Sequence, residues 1–180
     1  MSQTARLQGR SALVTGGNTG IGRAIALAYA REGANVAFAW IEREAEARTL
    51  EKEISALGRK ALGIRCDVTK EADVAACVRQ TVSSLGRLDI VVSNAGIQGP
   101  QAITETSVED WDRMMAVHLR GAFLVSREAA KHMIPRRTGW IIFTCSQLGY
   151  IGRERYTAYS AAKAGLIVFM RSLAKELAPQ

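Results

Sequence analysis

Three residues near the end of the chain could perform proton chemistry on an oxygen atom. Tyr159 and Lys163 stand four apart in Tyr159-Ser160-Ala161-Ala162-Lys163. Residues at that spacing share one face of a helix, so a phenol and an ammonium would meet above a single site. A cation beside a phenol favours the phenolate, and such a tyrosine can pass a proton to or from a substrate oxygen. Ser146 precedes the pair, just past the apolar run Trp140 to Cys145. At the C-terminal end of a parallel strand a side chain faces the ligand crevice, where a hydroxyl would orient a carbonyl or an alcohol.

A second group has a different chemistry. Thr15-Gly16-Gly17-Asn18-Thr19-Gly20-Ile21-Gly22 separates a β-rich run, Ser11 to Thr15, from a helical pattern running to about Glu32. A tight strand-to-helix turn needs backbone angles that glycine adopts cheaply. The missing side chains let a pyrophosphate approach the main chain, and the helix N-terminus points free N–H groups and its positive dipole end at that anion. The spacing is T-G-x-x-x-G-x-G, on Gly16, Gly20 and Gly22, rather than G-x-G-x-x-G. A glycine turn can be purely structural, and a Tyr-x-x-x-Lys pair arises by chance. The specificity lies in their order along one pattern of elements.

These groups need a scaffold, and the periodicity supplies one. Short β-rich runs at Ser11–Thr15, Asn35–Trp40, Ala61–Cys66, Leu88–Ser93 and Trp140–Cys145 alternate with helical stretches. The helices are read from about Ile21 to Glu32, Glu42 to Leu57, Thr69 to Leu85, Ser107 to Met133 and Thr157 to Leu177. Thr69 and Ser107 are the expected N-caps, the latter with Asp110 in a box-like arrangement. Ser146 to Arg155 reads as a loop. Alternation of this kind implies an α/β fold, a Rossmann-type doubly wound parallel sheet with helices on both faces. No repeat or linker interrupts it, so residues 1–180 read as one domain.

Composition narrows the class. The chain has 180 residues, 48% hydrophobic and 23% charged, which excludes an intrinsically disordered chain. No apolar run approaches a membrane span, and Met1 to Arg10 has no signal-like apolar core. Cys66, Cys77 and Cys145 are widely separated and odd in number, which argues against a disulfide framework and reads as small buried hydrophobes in a cytoplasmic protein. No metal-ligand spacing occurs. The net charge of +7 comes from scattered basic residues without a basic, aromatic-interleaved stripe. A solvated surface that attracts an anionic ligand is the favoured reading over nucleic-acid binding.

In this order the glycine turn, Asn94-Ala95-Gly96 after the fourth strand, Ser146, and Tyr159 with Lys163 resemble the short-chain dehydrogenase/reductase family, from about Gly9 to Pro179. The resemblance implies an NAD- or NADP-dependent oxidoreductase interconverting an alcohol and a carbonyl by hydride transfer. It implies Tyr159 as general acid/base, Ser146 as substrate orienter, and Lys163 as the group that tunes Tyr159; Tyr159 and Lys163 also contact the cofactor. Gly16, Asn18, Thr19, Gly20, Ile21 and Gly22 would line the pyrophosphate. Asp67 and Val68 would meet the adenine, and Asn94, Ala95 and Gly96 the adenosine end. Homo-oligomerisation through the Ser107–Met133 and Thr157–Leu177 helices is implied as well.

Three departures from the family pattern stand out. Ser93 replaces the first Asn of Asn-Asn-Ala-Gly. His118 occupies the position of a family Asn that helps to hold a water near the lysine. Family members continue past Glu176-Leu177-Ala178-Pro179 with a sixth strand and a substrate lid. Either this chain is part of a longer protein, or something else covers the fifth strand; the alternative function is a non-catalytic dinucleotide-binding or assembly module. The choice between NAD and NADP stays open, because Trp40 stands where an NAD-type acid would be and Glu42 and Arg43 point in opposite directions. Ile97, Gln98, Gln147, Leu148 and Tyr150 are candidates for the substrate mouth.

Overall fold

The first strand, β1 (Ser11–Thr15), is buried at every position, as a central strand covered on both faces must be. The computed structural model describes residues 5–180; the start of the Met1–Arg10 stretch, residues 1–4, lies outside the described residues. Four further strands, β2 (Asn35–Trp40), β3 (Ala61–Arg65), β4 (Ile90–Ser93) and β5 (Trp140–Phe143), join β1 in one sheet of order β3-β2-β1-β4-β5. All four pairings are parallel, with Leu13 opposite Ala37 and Val91.

Side chains alternate between the two faces with the strand period of two. Ala12, Val14, Val36, Phe38 and Trp40 pack under α1 (Gly20–Arg31) and α2 (Glu44–Ala56). Leu13, Ala37, Ala39 and Val91 pack under α3 (Glu71–Leu85) and the later helix α5 (Gly121–Met133). Full burial of Phe38 alone contributes on the order of 2–3 kcal/mol. The doubly wound α/β reading is therefore the fold observed.

Differences from the expected elements have local causes. The helix of Ser107–Met133 begins as expected, with Ser107 Oγ accepting a hydrogen bond from Asp110 N at 3.0 Å. It is then divided into α4 (Val108–Met115), a π-helical turn over Ala116–Arg120, and α5. Such wider turns carry an extra residue and concentrate at functional sites; this one contains His118. Thr69 does not cap α3. Its hydroxyl is bonded to Asp67 Oδ1 at 2.7 Å, and Lys70 is the capping position. The loop after β5 contains a short helix, α6 (Leu148–Ile151), and the last helix, α7 (Thr157–Leu177), has the expected limits. Cys66 and Cys77 are buried, whereas Cys145 is only half-buried.

The far edge of the sheet is β5, where Trp140 and Ile142 are 49% and 44% exposed. Beside it runs an apolar groove of about 400 Å³, walled by Met133, Ile141, Phe143, Met170, Leu173 and Leu177. Among the described residues no helix is long and apolar enough to cross a membrane.

Candidate active site

The glycine turn joins β1 to α1 with Gly16 at φ +60° and Gly20 at φ +52°, in the left-handed region that other residues rarely adopt. Gly22 serves a different need. A Cβ there would overlap the Gly16 carbonyl oxygen and come within 2.6 Å of Asn94 Nδ2. Thr19 is the N-cap of α1, and its side chain makes no capping bond. The first N–H groups of α1 thus remain available to an anion at the positive end of the helix dipole. Asn18 is buried and turned aside: its Nδ2 donates to the carbonyls of Glu42 (2.8 Å) and Arg43 (3.1 Å), tying the turn to the loop after β2. Ile21 stands exposed beside the turn.

Hydrogen bonds connect this turn to the ends of β4 and β5. Thr15 Oγ1 accepts from the backbone N–H of Asn94 (2.9 Å) and Ala95 (3.0 Å). Asn94 Nδ2 donates to the carbonyls of Thr15 and Gly16, at 3.1 and 3.2 Å. Its Oδ1 accepts from Thr144 Oγ1 at 3.1 Å. The Thr144 carbonyl accepts from Lys163 Nζ at 2.6 Å. An unbroken sequence of bonds therefore runs from Gly16 through Asn94 and Thr144 to Lys163. At the end of β3, Asp67 Oδ1 accepts two bonds from Thr69, and Val68 is buried against α5 at Gly121. Burial pushes the Asp67 carboxyl upward, but the Thr69 bonds and the charges of Lys70 and Arg120 outweigh it and hold it below the usual carboxylate range.

Lys163 is 4% exposed, and burial lowers its pKa, with the neighbouring Cys145 opposing that shift. Its Nζ lies 5.7 Å from the centre of the Tyr159 ring. Ser146 Oγ accepts from Leu148 N at 3.2 Å, which leaves its own proton free to donate. No hydrogen bond joins Ser146, Tyr159 and Lys163 directly among the described residues.

His118 packs its ring edge-to-face against Tyr159, with centroids 5.3 Å apart. It is 3% exposed. Its Nε2 is 2.7 Å from the Ile97 carbonyl and 3.2 Å from the Ile97 N–H, and one nitrogen can serve only one of them at a time. The shorter contact assigns the proton to Nε2, which donates to the carbonyl and leaves Nδ1 a buried acceptor without a partner. Burial pulls the imidazole pKa down to about 4; the Ile97 bond opposes this and the Lys163 charge adds to it. The ring also explains Gly96, where a Cβ would lie 2.6 Å from His118 Cε1.

Comparison with known proteins gives the family. Residues 10–180 match the family model described as short chain dehydrogenase. The chain belongs to the short-chain dehydrogenase family. A solved short-chain type dehydrogenase/reductase from Mycobacterium marinum superposes with a TM-score of 0.93 at 38% identity, over 99% of this chain and 74% of that one. An NAD+-bound xylitol dehydrogenase superposes at 0.92 with 32% identity, over 97% and 67%. The 3-oxoacyl-[acyl-carrier-protein] reductase of Staphylococcus aureus is 37% identical over 169 residues, 94% of this chain and 69% of its own length. This short-chain dehydrogenase chain spans about two thirds of the length of the curated relatives it matches.

The family supports a nicotinamide dinucleotide as the cofactor class, and the residues present fit one. The space above Gly20 is open, with no atom within 4 Å of a Cβ built there. The first turn of α1 offers uncapped N–H groups. At the end of β2, Trp40 Nε1 is a buried donor without a partner. The structure therefore gathers Gly16 to Gly22, Asp67, Val68, Asn94 to Gly96, Ser146, Tyr159 and Lys163 along the C-terminal ends of the strands, where α/β sheets bind ligands. Sequence reasoning did not anticipate Thr15 and Thr144 as anchors, because their partners are 77–80 and 50 positions away. The clamp of His118 on Ile97 was equally unreadable, although its placement in the family's Asn position marked it.

Proposed function

We propose that residues 1–180 form one dinucleotide-binding domain of an NAD(P)-dependent oxidoreductase that interconverts an alcohol and a carbonyl, with Tyr159 as general acid/base. The observation that carries this reading is the bond sequence from Gly16 through Asn94 and Thr144 to Lys163, which couples the anion-binding turn to the proton-handling residues. When bound, the nicotinamide supplies or accepts the hydride. Gly16, Thr19, Gly20, Ile21 and Gly22 hold the pyrophosphate end, and Asn18 acts by fixing the neighbouring loop. Asp67, Val68 and Asn94 to Gly96 line the adenosine end.

Ser146 donates its free hydroxyl proton to the substrate oxygen and orients it toward Tyr159. Tyr159 gives that oxygen a proton in the reductive direction and takes it back in the oxidative one. Lys163, fixed by the Thr144 carbonyl, keeps a positive charge beside the phenol and reaches the cofactor ribose. The half-buried setting of Tyr159 between His118 and Tyr156 limits its motion and keeps the oxygen near one position.

Replacing Tyr159 by Phe removes only the phenolic oxygen. Turnover should fall by about a hundred- to ten-thousandfold, the usual contribution of a positioned proton-transfer group, while dinucleotide binding measured by fluorescence stays within about threefold. Unchanged turnover in Tyr159→Phe would overturn the assignment. The compartment proposed for the protein is the cytoplasm. Self-association is assigned to α5 and α7, on which Phe123 and Val168 are exposed.

A further inference from the structure

We propose that the sheet edge formed by the N-terminal ends of the strands, opposite the dinucleotide crevice, binds the phosphate backbone of a single-stranded nucleic acid. This surface is separate from the crevice, and its use does not depend on the chemistry proposed there.

All the strands are parallel, so their N-terminal ends share one edge of the sheet. Basic residues that stand scattered in the sequence are collected there by the fold. Arg59 and Lys60 lead into β3, Arg10 into β1, Arg87 into β4, and Arg136 and Arg137 into β5. Neighbouring strands lie about 4.8 Å apart, so the five strand ends form a row about 19 Å long. Acids favour the opposite edge: Glu42, Glu44 and Glu46 follow β2, and Asp67, Glu71 and Asp73 follow β3. The net charge of +7 therefore sits mainly at the end away from the glycine turn.

The charges of this row are poorly compensated. Asp89 is the acid within it and is fully buried. Its Oδ1 accepts from Arg87 at 2.7 Å and from Arg136 at 2.6 Å, with Arg10 at 3.9 Å. One carboxylate thus faces three guanidinium groups, whose side chains are 42%, 32% and 38% exposed. Arg59 donates to the neutral oxygens of Gln8 and Gly33, and Arg137 to the Pro179 carbonyl, while Lys60 is exposed. The other acids towards this end are balanced by their own partners. Glu32 is paired with Arg6 at 3.1 Å, Glu53 with Arg23 at 2.6 Å and Glu128 with Lys131 at 2.8 Å, and Glu176 adjoins Lys175. Helices α1, α2, α3, α5 and α7 also end here, and each C-terminal dipole carries about half a negative charge, too little to cancel the excess.

The chemistry of the row matches a chain of phosphates. Five of its six cations are arginines, whose planar forks fit phosphate oxygens and keep donors to spare beyond the bonds they already make. A stacked strand advances about 3.4 Å per phosphate, so the row spans about five nucleotides. Cations in a line suit such a chain, whereas a lipid headgroup layer spreads its charge in two dimensions. A basic pI of about 9.7 with the charge gathered on one side is the electrostatic footprint of nucleic-acid binding.

The test is fluorescence anisotropy with a labelled single-stranded DNA of about twenty nucleotides, titrated with the protein at several salt concentrations. Each titration is repeated with NADH and NADPH in excess. The logarithm of the association constant should fall with the logarithm of salt with a slope of about −3, as about four phosphate contacts require. Excess dinucleotide should not displace the DNA. Arg59→Gln, Lys60→Gln and Arg137→Gln leave the Asp89 cluster intact; each should weaken binding several-fold and make the slope shallower by about 0.7, with an unchanged urea midpoint. Arg65→Gln, at the opposite edge, should change neither. Absence of binding at low salt, displacement by the dinucleotides, or a slope insensitive to all three substitutions overturns the proposal. Binding to phosphatidylserine vesicles without binding to DNA also overturns it and assigns the edge to a membrane surface.

Discussion

Acidification should destabilise this fold through His118 by an amount the structure allows to be calculated. The imidazole is buried, neutral and held by Ile97, with its pKa pulled from 6.5 to about 4. In the unfolded chain it would titrate at its ordinary value. Between these two values the unfolded state binds more protons than the folded state, so stability falls as pH falls. The full difference corresponds to roughly 3 kcal/mol, at about 1.4 kcal/mol for each unit. Lowering the pH from 7 to 4.5 should remove about 2.4 kcal/mol through this residue alone. Carboxylates such as Asp89, Asp67 and Glu128, whose pKa values are lowered on balance by their partners, also lose stabilisation in acid. A control is therefore required. Urea denaturation at both pH values should be compared between the protein and His118→Asn, whose amide can bond Ile97 but does not titrate. The protein should lose about 2 kcal/mol more than the variant over this range. Equal losses would refute the reasoning, because they would mean that His118 is not held neutral in the folded state.

Two further outcomes follow from the same geometry. Gly22→Ala places a methyl group onto the Gly16 carbonyl and beside Asn94 Nδ2, so stability should fall by about 1–3 kcal/mol in a denaturant titration. Dinucleotide affinity, followed by fluorescence, should fall with it as the turn is forced apart. Light scattering should give a mass at least twice that of one chain, and Val168→Glu on the exposed face of α7 should lower it; a monomer before substitution would remove α5 and α7 as the self-association surface.

Local patterns in the sequence were informative where local physics decides the structure. Tyr159 and Lys163 share a helix face because the helix repeat requires it, and the Ser107 cap was visible from Asp110 three residues later. The alternation of apolar runs gave the parallel sheet, since strands buried on both faces read as near-continuous apolar segments. Non-local pairing was not visible. Thr144 reaches Asn94 only because β5 lies beside β4, and Asn94 reaches Gly16 only because β4 lies beside β1. His118, inside the π-helical turn Ala116–Arg120, fits against Gly96 and Ile97, a long-range contact that no helical periodicity records. Thr69 misled as a cap because Asp67, two residues earlier, offered its hydroxyl a charged acceptor. The same class of effect hid the role of Asn18, whose amide is committed to carbonyls 24 and 25 residues away.

The central claim is that the glycine turn and Tyr159 serve one reaction at one crevice. Its most direct test supplies reduced nicotinamide dinucleotide deuterated at C4 with a panel of carbonyl compounds, and follows the products by mass spectrometry. The protein should place one deuterium on the carbinol carbon of at least one product, and Tyr159→Phe should place essentially none. A protein that binds the dinucleotide yet transfers no deuterium, or a Tyr159→Phe variant that transfers it at the original rate, would contradict the account.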